Sequence, residues 1–595
     1  MRTLAERVRD GTSAGGSLAV ADAVGDDVVV PDGAVDAVDD RARLRDLDLH
    51  GRLWAGAFAA GLLLAPVLAV AHYLPRWVPA GDPALMALRA WDVGTSRTPL
   101  IGQPSSSEYI GGNLVHHLGP THYYLLAPAV RLFGSTAGML LVSALIVGAS
   151  LLVAVWGVFR QLGGRAAAAA AVVLGAVTFT TGAAAVANPV SSNISGYPLL
   201  ASAVLLWCVL CGDRRLLPLA VLWVSFTAQQ HLSVLPALTV MTAFAVAGTV
   251  VVERRRLREW ARPAGVASVV AVVVWSPVLL QQVAGSRGNL GELLWFMRHG
   301  DRPKLGLRIA IDQVVNTLGA PPLVGQLNLD GTWFFRSPSP LAWLTAVVVV
   351  GLLLVAGWRW WAGAERRRLA LLAMAGAAAL GGLLDSASIP RGIEQYRLAF
   401  YHWAFVLTFL VGFALVLFVG DLAGRLPEPT RVRLARVGPA LAVAVVAVPA
   451  LVNPFLTRES STLLRMSAPV ERAGVDRLAD AVLAAEGRLT GPVLVVSTDD
   501  GPLGSGLREA LALELTDRGV DVVFPPDAVG FVASDRLADR SSISAGLVLV
   551  PQPTDVTVPG DEVADIHTIG DGIRWRLRAY RLDRQEILAF ASDRF

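Results

Sequence analysis

Long apolar runs separated by short polar segments dominate the chain between residues 53 and 452. A helix needs roughly 20 apolar residues to cross about 30 Å of hydrocarbon at about 1.5 Å per residue. The sequence therefore predicts an α-helical polytopic membrane protein with about eleven transmembrane helices. The predicted spans are 53–74, 136–158, 166–187, 197–212, 215–230, 232–252, 264–282, 340–358, 369–385, 400–420 and 438–452.

Arginines recur in every second loop between these spans. They lie at 160 and 165, at 214 and 215, in ERRRLRE at 253–259, in ERRR at 365–368, and at 425, 431, 433 and 436. Four more, Arg41, Arg43, Arg45 and Arg52, flank the start of the first span. Because short positive loops stay in the cytoplasm, the pattern predicts a multi-pass plasma-membrane protein with a cytoplasmic N-terminus.

The remaining loops then face outward, and two of them, 75–135 and 283–339, are long. Both carry Trp, Phe and charged residues, a mixture typical of a membrane interface. Long loops in compact domains are usually functional. The outer face is therefore where we expect the chemistry.

The segments outside the membrane domain, which we place at 51–455, differ in composition. Residues 1–50 have no continuous apolar core before a small-residue cleavage site, so we predict a flexible cytoplasmic tail and not a secretory signal. Within 456–595, GPVLVVSTDDGPLGSGLREALALELTDRGVDVVFPP is a βαβ pattern, and a further strand, AGLVLVP, follows it. The sequence predicts a small extracytoplasmic α/β domain there.

Composition agrees with a membrane protein and narrows the partners. Of 595 residues, 54% are hydrophobic and 17% charged, and the abundance of Ala, Val, Arg and Gly is typical of a GC-rich bacterial genome. The net charge is only +3, so no nucleic-acid partner is predicted. The two cysteines, Cys208 and Cys211, lie in one apolar run, which excludes a disulfide framework and favours a packing role.

The first outer loop holds Asp92 in LRAWDVGTSRTPLIGQ and continues to EYIGGNLVHHLGPTHYYLLAPAVRLFG. A loop acid, a Gly-Pro turn and an aromatic-rich amphipathic helix ending in RLFG resemble the GT-C superfamily of integral membrane glycosyltransferases. This superfamily includes protein O-mannosyltransferases, lipid A aminoarabinose transferases and actinobacterial arabinosyltransferases. The resemblance covers roughly 50–450 and is sharpest between Asp92 and Gly134.

The resemblance implies a polyprenyl-phosphate-linked sugar as donor, reached from the membrane lipids, and a catalytic acid where Asp92 lies. O-mannosyltransferases carry an Asp-Glu pair where this chain has Asp92 and Val93, so a second acid is sought elsewhere, at Glu108. The acceptor class, whether cell-wall glycan, lipid or protein, is not implied. We predict an inverting glycosyltransferase that acts on the outer face of the plasma membrane, with Asp92 as general base. The competing interpretation is a loop acid paired with Arg89 or Arg97.

Glycosyl transfer also needs cations that stabilise the departing phosphate. Arginine suits this task because its planar guanidinium binds phosphate in a bidentate manner. The candidates in the outer loops are Arg302, Lys304, Arg391 and Arg397. We expect several of them to contact lipid headgroups instead.

Three histidines of the first outer loop, His116, His117 and His122, are also candidates. With Glu108 they are residue types that bind Zn²⁺ or Mn²⁺, but their spacing matches no strict metal signature. Hydrogen bonds to substrate are therefore favoured for them and for Tyr123, and a divalent metal stays open. The segment TAQQHLS at 227–233, at the outer junction of two spans, is either a further site or a helix cap.

Two other classes of function compete with the glycosyltransferase. A transporter or flippase of lipid-linked sugars usually places ionisable residues at mid-bilayer and repeats one half of its fold in the other. Here the charges cluster at the outer ends of the spans, and the halves show no repeat. A non-catalytic assembly factor of the cell envelope is the third interpretation, and an unchanged phenotype on loss of Asp92 favours it.

Overall fold

The computed structural model describes residues 49–105, 114–284, 288–299, 302–320, 336–392, 398–456, 472–486, 491–498, 502–528, 534–551, 556–570 and 573–592. The tail predicted at 1–50 lies outside these residues except for its last two positions. Glu108 and Arg397 also lie outside them.

The membrane domain is built from helices throughout. Its helices are α1 (Leu49–Tyr73), α2 (Asp82–Asp92), α3 (Thr121–Phe133), α4 (Ser135–Leu162), α5 (Gly164–Ala187), α6 (Ser191–Ile194), α7 (Gly196–Leu210), α8 (Leu217–Gln230), α9 (Leu235–Val252), α10 (Ala261–Ala284), α11 (Asn289–His299), α12 (Leu307–Leu318), α13 (Pro340–Ala362), α14 (Arg366–Ser388), α15 (His402–Ala423) and α16 (Glu428–Leu456). In the described part of the chain, ten helical segments are long and apolar enough to cross a membrane. The predicted helical membrane fold is confirmed.

The span predicted at 215–230 is the exception to the expected eleven. It forms α8, which has 14 residues and is therefore only about 21 Å long, less than the roughly 30 Å of a hydrocarbon core. A short helix is tolerated at this depth when protein covers it. Helix α8 packs against α7 and α10, and its last four residues are buried.

Contacts between loops group the predicted cytoplasmic loops at one end of the helix bundle. Arg160 pairs with Asp213 at 2.8 Å, Arg214 pairs with Glu259, and Arg367 donates to the carbonyl oxygen of Gln161 at 2.7 Å. We call this end the arginine end. The alternation of arginine-rich loops thus reproduces a real division of the bundle.

The predicted outer loops meet at the other end, which we call the site end. The backbone N–H of Leu232 donates to Nδ1 of His117 at 3.4 Å, and Ser233 donates to the carbonyl oxygen of Ala399 at 2.8 Å. Helix α8 starts at the arginine end beside Arg214 and ends here, so it connects the two ends although it is short.

The C-terminal part folds as an α/β domain with a five-stranded sheet in the order β2-β1-β3-β5-β4. The elements are α17 (Arg472–Glu486), β1 (Val493–Ser497), α18 (Pro502–Asp517), β2 (Val522–Val523), β3 (Ala545–Pro551), β4 (Asp561–Gly570), β5 (Ile573–Leu582) and α19 (Arg584–Phe590). Strands β2, β1 and β3 are parallel, as the βαβ pattern predicts. The hairpin of β4 and β5 continues the sheet in antiparallel fashion.

The α/β domain lies at the site end, where α18 packs against α2. Asp517, at the end of α18, accepts hydrogen bonds from the indole of Trp91 at 2.7 Å and from the hydroxyl of Ser135 at 2.6 Å. The domain therefore rests directly on the first outer loop and on the first turn of α4.

The orientation of the two ends gives a labelling prediction. In a C208A, C211A background, we expect Ser541→Cys in the α/β domain to react with a membrane-impermeant maleimide in spheroplasts. Ala364→Cys at the arginine end should react only after lysis, because positive loops stay in the cytoplasm. Both side chains are exposed. The reverse labelling pattern would overturn the topology and place the site in the cytoplasm.

Candidate active site

Helix α2 positions the acid singled out in the sequence. Asp82 and Pro83 open the helix, where proline is favoured because its missing N–H needs no partner. The helix ends at Asp92 because Val93 is extended and Gly94 adopts a φ of 82°, a conformation that favours glycine. The chain turns back here.

The carboxylate of Asp92 is buried and engaged by two guanidinium groups. Arg536, from the α/β domain, donates through Nη2 to Oδ1 at 2.8 Å and through Nε to Oδ2 at 2.9 Å. Arg89, one turn back on α2, donates to Oδ2 at 2.7 Å. Asp92 as a whole is 3% exposed. The ion pair with Arg89 that the competing interpretation names is therefore present. Asp92 also accepts a bidentate contact from Arg536, which is 444 positions away in the sequence.

A second acid balances these two cations. Arg89 also donates to Asp535 at 2.7 Å, so Arg89, Asp92, Asp535 and Arg536 form one network, which we call the domain clasp. Arg536 further donates to the carbonyl oxygens of Val522 and Leu88. The domain clasp holds two positive and two negative charges and has no net charge.

Arg97 takes a different partner from the one expected of it. It pairs with Asp521 of the α/β domain at 2.7 Å, and the hydrogen bond to Asp521 raises the pKa of Arg97. Its side chain is 28% exposed and that of Asp521 43% exposed. This pair lies at the rim of the same interface, in contact with water.

A cavity of about 160 Å³ opens beside the domain clasp. Helix α2 contributes Leu85, Leu88 and Arg89, the first outer loop contributes residues 101–104 and His116, helix α3 contributes Tyr123, and the α/β domain contributes Ser534, Asp535 and Arg536. Two parts of the chain that are far apart in the sequence, residues 85–123 and residues 534–536, therefore build one site.

Short antiparallel pairing within the first outer loop places His116 at the cavity. Gly102 and Gln103 exchange backbone hydrogen bonds with His117 at 2.9 and 2.8 Å. Gly102 is required here because an added Cβ would lie 2.8 Å from Cβ of His117. Asn289 of α11 then holds the backbone of His116 by accepting from its N–H and donating to its carbonyl oxygen.

The other two histidines lie together with the TAQQHLS segment. The rings of His117 and His231 are 4.3 Å apart between centroids, and His122 lies beside Gln230. Burial lowers the pKa of His117 to about 3 and that of His122 to about 4. Both rings are neutral near pH 7, but neither is among the residues that line the cavity, and the ring nitrogens of His122 make no hydrogen bond within the described residues. The hydrogen-bonding role stays a prediction for these two histidines.

Two adjacent tyrosines of α3 differ in what their hydroxyl groups contact. Tyr124 donates to the carbonyl oxygen of Pro99 at 2.7 Å. Tyr123 is 3% exposed, lines the cavity, and makes no hydrogen bond through its hydroxyl group within the described residues. Burial raises its pKa, so Tyr123 faces the cavity as a neutral phenol.

Three of the predicted phosphate-binding cations lie together on two adjoining segments, 302–304 and 390–392. Lys304 pairs as an isolated bridge with Pro390, and Arg391 donates to the carbonyl oxygen of Lys304 at 3.1 Å. Arg302 lies next to Gly392. All three cations are exposed, and none of them is among the residues that line the cavity. We call Arg302, Lys304 and Arg391 the basic patch.

The described residues do not support a metal site. Among them, no group of three or more His, Cys, Asp or Glu side chains could hold a metal ion. Glu108, the acid that we associate with the histidines, is not one of them.

Sequence reasoning missed Arg536, Asp535 and Asp82. The two residues of the α/β domain have no local signal, because SDRLADR resembles any polar loop. Asp82 does have a local sequence signal, because the Gly-Asp-Pro start of a helix lies in the same outer loop as Asp92. It is exposed at the head of α2, and its carbonyl oxygen accepts a hydrogen bond at 3.2 Å from Gln103, a cavity residue.

Known structures share the fold of this chain, although no protein-family model and no curated protein matches it. Apo ArnT from Cupriavidus metallidurans is 14% identical with a TM-score of 0.53, covering 90% of this chain and 99% of that chain. The same protein bound to undecaprenyl phosphate is 14% identical with a TM-score of 0.49, covering 88% of this chain and 98% of that chain. An Archaeoglobus fulgidus oligosaccharyltransferase in complex with Zn and sulfate is 12% identical with a TM-score of 0.37, covering 81% of this chain and 67% of that chain. The first match shows that the chain has an ArnT-like fold, so the fold that the resemblance implies is confirmed.

The domain clasp predicts unequal costs for two arginine substitutions. Arg536→Ala leaves a buried carboxylate short of its main partner, which typically costs about 3–5 kcal/mol. Arg97→Ala removes a rim pair of the same interface, which is worth about 0–1 kcal/mol. In nanodiscs, amide exchange of α2 should accelerate by about 10²–10³-fold in the first variant and hardly at all in the second. Equal exchange in both variants would contradict the structural role of the domain clasp.

Proposed function

We propose that this protein is a glycosyltransferase that moves a sugar from a polyprenyl-phosphate donor to an acceptor of the cell envelope at the site end of the bundle. The observation that carries the proposal is the cavity between the first outer loop and the α/β domain, within an ArnT-like fold. Polar side chains of the first outer loop and of the α/β domain come together there, at one end of the membrane domain. The acceptor is a cell-wall glycan, a lipid or a protein.

A lipid-linked donor suits the position of the site. ArnT has been solved with undecaprenyl phosphate, and this chain has the ArnT fold. A polyprenyl chain would stay in the bilayer while its phosphate lies at headgroup level. The site end would then face the outside of the plasma membrane, where the topology predicted from the arginine loops puts it.

The basic patch is the part of the site end that we assign to the phosphate. Its three cations are exposed on two adjoining segments at the outer ends of α12 and α14. In the reaction, the acceptor oxygen bonds to the anomeric carbon while the bond from that carbon to the phosphate oxygen breaks. Negative charge grows on the departing polyprenyl phosphate, and guanidinium and ammonium groups stabilise it.

The general base is the finer question. Asp92 remains a predicted base, but both of its oxygens accept hydrogen bonds from guanidinium groups in the domain clasp. To receive the acceptor's proton it would have to release Arg536. We propose that Asp82 is the base instead, because it is exposed and lies next to the cavity. A base must come within hydrogen-bonding reach of the proton that it takes.

The two carboxylates can be separated by asparagine substitution. Asp82→Asn keeps side-chain size but removes the proton acceptor, so transfer should fall by roughly 10²–10⁴-fold while donor binding stays. Asp92→Asn should mainly loosen the domain clasp and lower thermal stability. Sugar transfer by purified protein in nanodiscs, with a panel of polyprenyl-phosphate sugars, measures the first effect. If Asp92→Asn abolishes transfer with α2 still protected from exchange, Asp92 is the base after all.

The outer-loop cations should divide into essential and dispensable residues. A donor to the leaving phosphate is worth about 3–4 kcal/mol, whereas a headgroup contact is worth about 1 kcal/mol. Single alanine substitutions at Arg302, Lys304, Arg391 and Arg397 should therefore give sharply unequal losses of transfer rate. Four equal and mild losses would show that the phosphate binds elsewhere.

A further inference from the structure

The cavity beside the domain clasp is a small polar chamber with hydrogen-bonding groups left over. Its volume is about 160 Å³, compared with about 30 Å³ for one water molecule in the liquid and roughly 300–1,000 Å³ for most small-molecule sites. A space of this size holds a single sugar ring, and the rest of a glycan or a lipid chain attached to that ring would lie outside it.

Three groups at the cavity have hydrogen-bonding capacity that the described residues do not use. The hydroxyl group of Tyr123 and the ring nitrogens of His116 make no hydrogen bond within the described residues. Arg89 uses Nη1 for Asp92 and Asp535, which leaves Nε and Nη2 without a partner in the same part of the chain. Tyr123 is 3% exposed, and buried polar groups are normally hydrogen-bonded.

The charges of the described side chains that line the cavity cancel once Asp92, directly behind them, is included. Arg89 and Arg536 are matched by Asp92 and Asp535 within the domain clasp. Burial lowers the pKa of His116 to about 4, so its ring adds no charge near pH 7. An anionic or cationic ligand inside the cavity would lose its hydration without finding an unpaired opposite charge among these residues, which is costly. Asp82 lies outside the lining and is exposed, so water and salt screen its charge.

We propose that this cavity binds one uncharged sugar ring, with Tyr123, His116 and Arg89 as its hydrogen-bonding partners. Leu85 and Leu88 give the ring an apolar face to pack on, and the polar groups contact its hydroxyls. The ring belongs either to the donor or to the acceptor glycan, and this assignment rests on the proposed function. Uronic acids and amino sugars are excluded from the cavity by its charge balance.

The α/β domain thereby becomes part of the binding site. Ser534, Asp535 and Arg536 form one wall of the cavity, and the domain clasp holds that wall in place. The domain contributes to substrate recognition as well as to the stability of the first outer loop.

Binding of simple glycosides to the full-length protein in nanodiscs tests the proposal. The probes are neutral methyl pentosides and hexosides, methyl glucuronide and methyl glucosaminide, titrated by saturation-transfer NMR. We expect the neutral glycosides to bind and the two charged ones to bind at least about tenfold more weakly. Equal binding of charged and neutral probes, or no binding of any probe, would overturn the proposal.

Variants tie the binding to the cavity. Tyr123→Phe removes one hydroxyl and should weaken the neutral glycosides about fivefold. Tyr124→Phe is the matched control, because that hydroxyl donates to Pro99 outside the cavity, and it should change nothing. Ser534→Trp adds bulk at an exposed cavity residue and should block binding without disturbing the core. Equal effects of the two Phe variants, or full binding by Ser534→Trp, would place the sugar elsewhere.

Competition identifies the source of the sugar and separates this proposal from the proposed function. Displacement of the glycoside by a polyprenyl-phosphate sugar assigns the cavity to the donor, and displacement by a short neutral glycan assigns it to the acceptor. Displacement by neither contradicts the assignment. If neutral glycosides bind selectively but no sugar is transferred, the proposed function fails and the binding site stands. If transfer occurs without selective binding, only the cavity proposal fails.

Discussion

The arrangement at the site end depends on one buried contact, the bidentate pairing of Arg536 with Asp92. Its heavy-atom distances are 2.8 and 2.9 Å, and the two side chains are 5% and 4% exposed. Charges as deeply buried as these are tolerated only when they are paired and fully hydrogen-bonded. Arg89 and two backbone carbonyls complete the bonding. If the contact opened, the cavity would lose a wall.

Rigid elements hold both partners of this contact. Asp92 ends helix α2, whose buried face packs against α3 and α18. Arg536 is fixed by the backbone, since its carbonyl oxygen accepts from Phe524 at 2.9 Å, and Phe524 follows the sheet strand β2. The sheet edge is thus joined to a helix of the first outer loop. Sites supported on such elements hold their geometry better than sites on loops alone, which suits a cavity shaped for one small ring.

Hydrophobic periodicity and arginine spacing predicted most of the fold, because both act along the chain. The long apolar helices, the two loop groups and the strands β1 and β3 follow from local pattern. The helix predicted at 215–230 forms as α8, but with 14 residues it is too short to be counted as a full membrane span. Of the candidate site, the sequence predicted only the part that the first outer loop contributes. Asp92, His116 and Tyr123 lie at or beside the cavity, but Arg536 is 444 positions away, and only tertiary folding brings it there.

A cryo-electron microscopy structure in nanodiscs, determined with a polyprenyl-phosphate sugar that cannot be transferred, tests the central claim most directly. The claim is that the docked α/β domain and the first outer loop together form the sugar site. The account predicts Arg536 bound to Asp92, sugar density bordered by Arg89 and Tyr123 or at the cavity mouth beside Asp82, and phosphate density at the basic patch. A ligand bound at the arginine end, or an α/β domain detached from α2 while the ligand is bound, would contradict it.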